Sequence, residues 1–463
     1  MLSERMNCLF PEKVRKTLVF ITLFLGFAFF LICPIFNNLS IKILLIYTIN
    51  ISLMLFIICY KNSINKYEVG IFGFLFIQLL ALMPDNSMEN VDKFVSSSFL
   101  LSFRYGISSR SFIATIIDFL SGGGFVSKHF VWHFIYCTTA FLSFLISVFI
   151  GEVINNNKED IKIFVLLLSL LCLAGFTAPS AYFMHDTFGR SEVFALLFLL
   201  FIVFFINKQF VSWFIPLFAL FIFATHINLI FFYIPLVIIL LLYSLYEQPD
   251  KKIKYIFLSS FTFIIISAAF ILYTLFYKDT FIFNNAAEFG EHLKDKTDLF
   301  FEEGFLHFAL FSTLEDHLNT WRVSVKYQGL FSVIVNIPVL LLFSAFWIRC
   351  YQKETVKMMK LFYLLPIGTL FFQSIMFFMF IDYGRWIIMM LNVQFTLIFY
   401  FIHVKNKQVI SIIQSVTPFI KRHLFYVILV CCIMLFLGPV SVIGTSEKTM
   451  QIVHLIKQFL LLK

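Results

Sequence analysis

Apolar residues run along this chain in long unbroken blocks, not in the alternation of a strand or the one-sided stripe of a soluble helix. A helix crossing a bilayer needs about 20 mostly apolar residues, at about 1.5 Å of rise each through about 30 Å of hydrocarbon. Blocks of that kind predict helices over 17–36, 41–60, 68–84, 129–151, 161–183, 191–207, 255–277, 330–348, 361–380, 386–402 and 425–443. The stretch 211–245 is too long for one tilted crossing, and Thr225-His226-Ile227-Asn228 interrupts it near its middle. It reads as two short helices, 211–225 and 227–245, that meet at this polar tip. The expectation is an all-α, polytopic transmembrane bundle of about 11–13 spans, one integral-membrane domain over 1–463.

The segments between the blocks orient it. Lys and Arg accumulate in short segments on alternate sides: Arg5 to Lys16, Lys61 and Lys66, Lys158 and Lys162, Lys208, Lys251 to Lys254, Arg349 to Lys360, and Lys405 to Arg422. Cytoplasmic connections retain positive charge, so this pattern places the N-terminus in the cytoplasm, and the split of 211–245 keeps the alternation in register. The first block is long, lacks a clear small-x-small site after it and is followed at once by another, so it reads as the first span and not as a cleaved leader. Two long outer connections remain. Residues 85–128 carry Arg104, Arg110 and Asp118 among Phe, Leu and Ile, the pattern of helices lying in the interface plane. Residues 278–329 are strongly polar, with Glu288, Glu291, Asp295, Asp298, Glu302 and Glu303 in an acidic run that reads as a solvated loop.

Composition sharpens this. Of 463 residues, 60% are hydrophobic and only 13% charged, with 67 Phe, which excludes a soluble enzyme, a disordered scaffold and a nucleic-acid-binding protein. The net charge of +9 follows membrane topology, not a nucleic-acid footprint. The abundance of Phe reads as lipid-facing surface, and Trp386 as part of an interfacial aromatic belt. The eight cysteines avoid the outer loops, so no disulfide framework and no Cys/His metal spacing is present. No G-x-x-x-x-G-K-[ST] phosphate loop occurs either, and neither a cofactor nor a metal is assigned.

Residues suited to chemistry gather on the outer side. His185-Asp186-Thr187-Phe188-Gly189-Arg190 and Asp382-Tyr383-Gly384-Arg385-Trp386 each place an acid, a glycine and an arginine at a helix mouth, and His226 tips the split pair. Guanidinium forks bind phosphate oxygens, and a carboxylate can take the proton of an attacking hydroxyl. The candidates for the base are Asp92, Asp85, Asp186 and Asp382. The candidates for substrate binding are Arg190, Arg385, Arg104, His226 and His185.

A multi-span bundle with outer carboxylates and arginines and interfacial helices in an early outer loop resembles the GT-C superfamily of integral-membrane glycosyltransferases. In size and Phe/Ile-rich composition it is also similar to bacterial O-antigen polymerases and O-antigen-modifying glucosyltransferases. Asp85, Glu89 and Asp92 match the family's acid of the first large outer loop, a loop that here follows the third span. The resemblance implies transfer of sugar from a polyprenyl-phosphate-linked donor to a cell-envelope glycan acceptor, such as O-antigen of lipopolysaccharide or capsule, at the periplasmic face of a bacterial inner membrane. A polysaccharide polymerase is an alternative within that class, and a lipid-linked-sugar flippase or transporter is one outside it.

Overall fold

The computed structural model describes residues 11–61, 63–83, 91, 93–106, 110–174, 187–206, 214–226, 229–247, 281–310, 330–374 and 383–437, with isolated positions in 261–269 and at 376. Among the described residues the chain is all-helical; the one non-helical pairing is an isolated bridge between Val126 and Thr297.

Helices α1 (Glu12–Ile32) and α2 (Leu39–Lys61) form a hairpin. A short 3-10 turn at Cys33–Ile35 closes α1, because Pro34 cannot continue it, and Asn38 accepts from the Ser40 and Ile41 amides at the start of α2. Next, α3 (Lys66–Leu82) opens with a reciprocal cap in which Asn65 accepts from the Tyr67 and Glu68 amides and Glu68 accepts from the Asn65 amide. Both α2 and α3 pack on the long α6 (Lys128–Asn155). At that contact Lys61 bridges the buried Glu68, with Glu152 at 3.5 Å, and Gly151 lets the α3 backbone approach closely.

The second half surrounds one helix. Against it pack α6, α7 (Glu159–Ala174), α10 (Ile230–Glu247), α13 (Leu330–Lys353) and α14 (Lys357–Ser374), while α8 (Ser191–Phe205) meets its first turn and α9 (Ile215–Thr225) packs on α8. The central helix, α15 (Tyr383–His403), is buried nearly all round. Its helical period puts Arg385, Asn392 and Thr396 on one face and Gln394 on the opposite one. Gln394 accepts from the Trp347 indole at 2.8 Å and donates to the Pro366 carbonyl at 3.1 Å, which ties α13, α14 and α15 together. Trp386 is not an interfacial belt residue: it is buried and stacked on Phe232 at 5.4 Å, because α15 enters the bundle at its very first turn. The break between α9 and α10 falls at His226, where the polar tip was expected.

Among the described residues, four helices are long and apolar enough to cross a membrane: Glu12–Ile35, Leu39–Lys61, Lys128–Asn155 and Arg385–His403. A bent pair makes a fifth, α16 (Lys407–Arg422) with α17 (Leu424–Leu437), turned by 93°. The 405–422 segment, expected as a basic connection, is thus a helix. Val409, Ile412, Ile413 and Ile420 bury one face of it, Thr417 donates to the Asp160 carbonyl at 3.0 Å, and Lys421 pairs with the Asp160 carboxylate at 2.8 Å. That exposed ion pair holds the Asp160 carboxyl below its ordinary range.

Among the described residues, the two long connections, 85–128 and 278–329, fold together. The first contains α4 (Lys93–Ser98) and α5 (Ser111–Leu120). The acidic run of the second is not a solvated loop: it forms α11 (Ala286–Lys294) and α12 (Glu303–Leu310), whose Phe289, Leu293, Phe305 and Leu306 are buried with Val95, Phe99, Leu101 and Tyr105 of the first. Val126 donates to the Lys296 carbonyl at 2.8 Å, Ile282 to that of Tyr105 at 2.9 Å, and the Glu302 amide to the Ser97 hydroxyl at 2.9 Å. Glu288, Glu291 and Glu303 lie on the outward faces of these helices, whose apolar faces pack inward, and Asp295, Asp298 and Glu302 lie in the segment between them. Phe residues likewise serve the interior as well as the surface: Phe130, Phe188, Phe223 and Phe232 are fully buried, whereas Phe20, Phe24 and Phe27 are exposed.

At the opposite end from this layer, Asn406 caps α16 through the Val409 amide, accepts from the Tyr363 hydroxyl at 2.8 Å and donates to that of Tyr243 at 3.1 Å. Asn406→Ala removes a cap, strands the buried Tyr363 hydroxyl and leaves that of Tyr243 with Glu247 alone, so it is expected to cost about 2 kcal/mol. The shift in midpoint of thermal unfolding of the purified protein measures it.

Candidate functional site

A buried ion pair lies where α8 and α15 begin. The turn Thr187-Phe188-Gly189 leads into α8, and the Arg190 amide donates to the Thr187 carbonyl at 3.1 Å. Gly189 has φ +87°, and a Cβ there would lie 2.6 Å from Ile135 Cδ1, so glycine is the residue this turn accepts. One turn on, Glu192 is fully buried, with its carboxylate at the positive end of the α8 dipole. Arg385, in the first turn of α15, meets it: its Nε donates to Glu192 Oε1, and its Nη2 lies 3.4 Å from Ser191 Oγ. The guanidinium also stands 4.7 Å from the Trp386 ring centroid, so a flat aromatic face covers it. A buried charge persists only when paired and hydrogen-bonded, and this one is both.

His226 sits beside this pair of helix mouths, in the break after α9, and is buried. Burial, and then the Arg110 and Arg190 guanidiniums, push its imidazole well below the ordinary histidine range, so it is neutral at pH 7. Arg110 comes from the loop layer. It precedes α5, lies 5.1 Å from the Phe305 ring centroid, and is anchored by Phe112, which stacks on Phe221 of α9 at 4.4 Å. Three guanidiniums, one carboxylate, a hydroxyl and a neutral imidazole therefore assemble at one end of the bundle, under the loop layer. Such a set has the chemistry to bind an anionic group, with Glu192, Arg385 and His226 buried and Arg110 and Arg190 half-buried.

The sequence candidates divide in three. Arg190, Arg385 and His226 come together. Arg104 does not join them; it stands at the other end of α5, about 15 Å along a helix of that length, and donates to the Gly123 carbonyl at 2.6 Å. Asp85, Asp92, His185, Asp186 and Asp382 lie outside the described residues.

Glu192 and Arg110 are what the sequence reading missed. Glu192 carried a signal, being the one charge in the apolar run 191–205. Arg110 carried none, since its place depends on how the loop layer folds back. Among the described residues no group of three or more His, Cys, Asp or Glu gathers to hold a metal ion. Comparison with protein-family models, with curated proteins and with solved structures finds no match to this chain.

Proposed function

We propose that this protein is a polytopic membrane glycosyltransferase of about 11–13 spans, working at the outer face of a bacterial inner membrane with its N-terminus in the cytoplasm. In this reading it transfers sugar from a polyprenyl-phosphate-linked donor to a cell-envelope glycan acceptor. The observation that carries it is the convergence of Arg190, Arg385 and His226 with Arg110 around buried Glu192. When the glycosidic bond to a lipid-linked phosphate breaks, negative charge grows on the bridging oxygen, and preplaced guanidiniums stabilise it without reorganising. The acceptor hydroxyl must lose a proton as it attacks, and a carboxylate suits that step. Asp186 stands four residues ahead of Arg190 and Asp382 three ahead of Arg385 along the chain, with Asp85 and Asp92 in the first loop as further candidates. The phosphate–sugar bond supplies the driving force, so no nucleotide is needed.

The test uses purified protein, lipid-linked sugar and acceptor, with no gradient across the membrane. A glycosidic product is expected, and Arg190→Ala is expected to slow its formation about 100-fold while the protein accumulates and melts normally. Movement of lipid-linked sugar between leaflets without product would replace this reading with a flippase. Loss of chain length in the glycan of a deletion strain marks a polymerase, and loss of one branch sugar marks a single-sugar transferase.

A further inference from the structure

A second polar site lies apart from the arginine cluster, at the far end of α5. It is a cleft of about 440 Å³ between the 3-10 turn that ends α1 and the C-terminal end of α5, within the size range of small-molecule sites. Pro34, Ile35 and Phe119 form its apolar lip, and Ser102, Arg104, Thr115 and Asp118 supply its polar wall. The wall is prearranged. Ser102 donates to Asp118 Oδ2 at 3.0 Å, Thr115 Oγ1 accepts from the Phe103 amide at 2.8 Å, and Arg104 is held by the Gly123 carbonyl. Lys42, buried behind Gly122, occupies the Ser121 carbonyl at 2.6 Å, which neutralises the negative end of α5 beneath the cleft.

Two features fix the ligand. The facing side chains are one guanidinium and one carboxylate, so the complement is a zwitterion and not a simple anion. The lip is continuous with an apolar track: Phe20, Phe24, Phe27 and Leu31 are exposed on one face of α1, and exposed Ile35 both continues that row and lines the cleft. From Phe20 to Ile35 the track runs about 22 Å, enough to accompany an acyl chain through one leaflet of a hydrocarbon core about 30 Å thick.

We propose that this cleft holds the headgroup of an aminophospholipid of the phosphatidylethanolamine type. Its phosphate sits on Arg104, its ammonium on Asp118, and one acyl chain lies along the α1 track. The proposal needs α1 to stand in a bilayer but does not depend on sugar transfer, so either can fail alone.

The experiment is retention of lipid by the purified full chain, read by native mass spectrometry after exchange through detergent containing equal phosphatidylethanolamine and phosphatidylglycerol of the same acyl composition. The expected result is about tenfold preference for phosphatidylethanolamine. Asp118→Asn is expected to abolish the preference, and Arg104→Gln to lower retention of both lipids about tenfold. Ile35→Ser is expected to lower retention without changing the preference, and it leaves the polar wall intact should either charge variant fail to fold. Glycerophosphoethanolamine, which has the headgroup and no chains, is expected not to compete at equal concentration. Equal retention of the two lipids by the parent, a preference that survives Asp118→Asn, or effective competition by the chainless headgroup each overturns the proposal.

Discussion

Replacing Arg385 by Ala is expected to destabilise the protein by about 3–5 kcal/mol, because it leaves the Glu192 carboxylate buried and without its guanidinium. The pair joins the first turns of α8 and α15, so its loss loosens the central helix at its point of entry. Glu192→Ala is expected to do comparable harm by removing the carboxylate that neutralises the guanidinium beneath Trp386. Breaking such a pair is much worse than removing it, since an apolar pair of similar volume needs no solvation. The double replacement Glu192→Leu with Arg385→Met is therefore expected to recover most of the thermal midpoint that either Ala variant loses. It is not expected to recover sugar transfer, if the guanidinium binds the leaving phosphate. Unfolding midpoints in one detergent, with transfer assayed on the same samples, separate the two roles. Full transfer by the stable double variant would remove Arg385 from the site and leave it a structural residue.

The second large effect lies at the opposite end. Gly151→Val is expected to cost about 3 kcal/mol, at the upper end of overpacking penalties. A Cβ at 151 would lie 2.7 Å from the Glu68 amide nitrogen and 2.9 Å from its Cα, so it meets backbone that cannot rotate away. Separating α6 from α3 also disturbs the Lys61–Glu68 pair and draws Glu152 out of reach. Gly70→Ala is the control: nothing lies within 4 Å of a Cβ there, and in mid-helix the change is expected to stabilise by about 0.5–1 kcal/mol. Midpoints of thermal unfolding for the two variants, compared with the parent, are expected to move in opposite directions. A Gly151→Val protein as stable as the parent would contradict the close approach of α3 and α6.

Much of the architecture is present in the order of the residues. Long apolar blocks inside a membrane are helices if they are to satisfy their own backbone, and among the described residues helices fall where those blocks stand, with 255–277 lying outside them apart from isolated positions. The polar tip at His226 was visible for the same reason: Thr225-His226-Ile227-Asn228 breaks an apolar run that is otherwise too long. The proximity of Gly189-Arg190 to Arg385 was a matter of shared side and short connections, and the structure sets Arg385 against Ser191 and Glu192. Glu192 shows the limit of this kind of reading. A single acid in an apolar run announces that it needs a partner, but 193 positions separate it from that partner.

The sequence by itself determined the class of elements and the single break in the long apolar run. These follow from local quantities: hydropathy summed over about 20 residues, turn chemistry and charge. Only the tertiary structure decided that the acidic run 288–303 folds against the 85–128 connection, that Trp386 is buried, and that Arg104 parts from Arg190 and Arg385. Each of these depends on which apolar face finds which partner across a hundred or more residues. In a chain with 67 Phe many pairings are chemically alike, so shape and burial in three dimensions, rather than residue type, select among them.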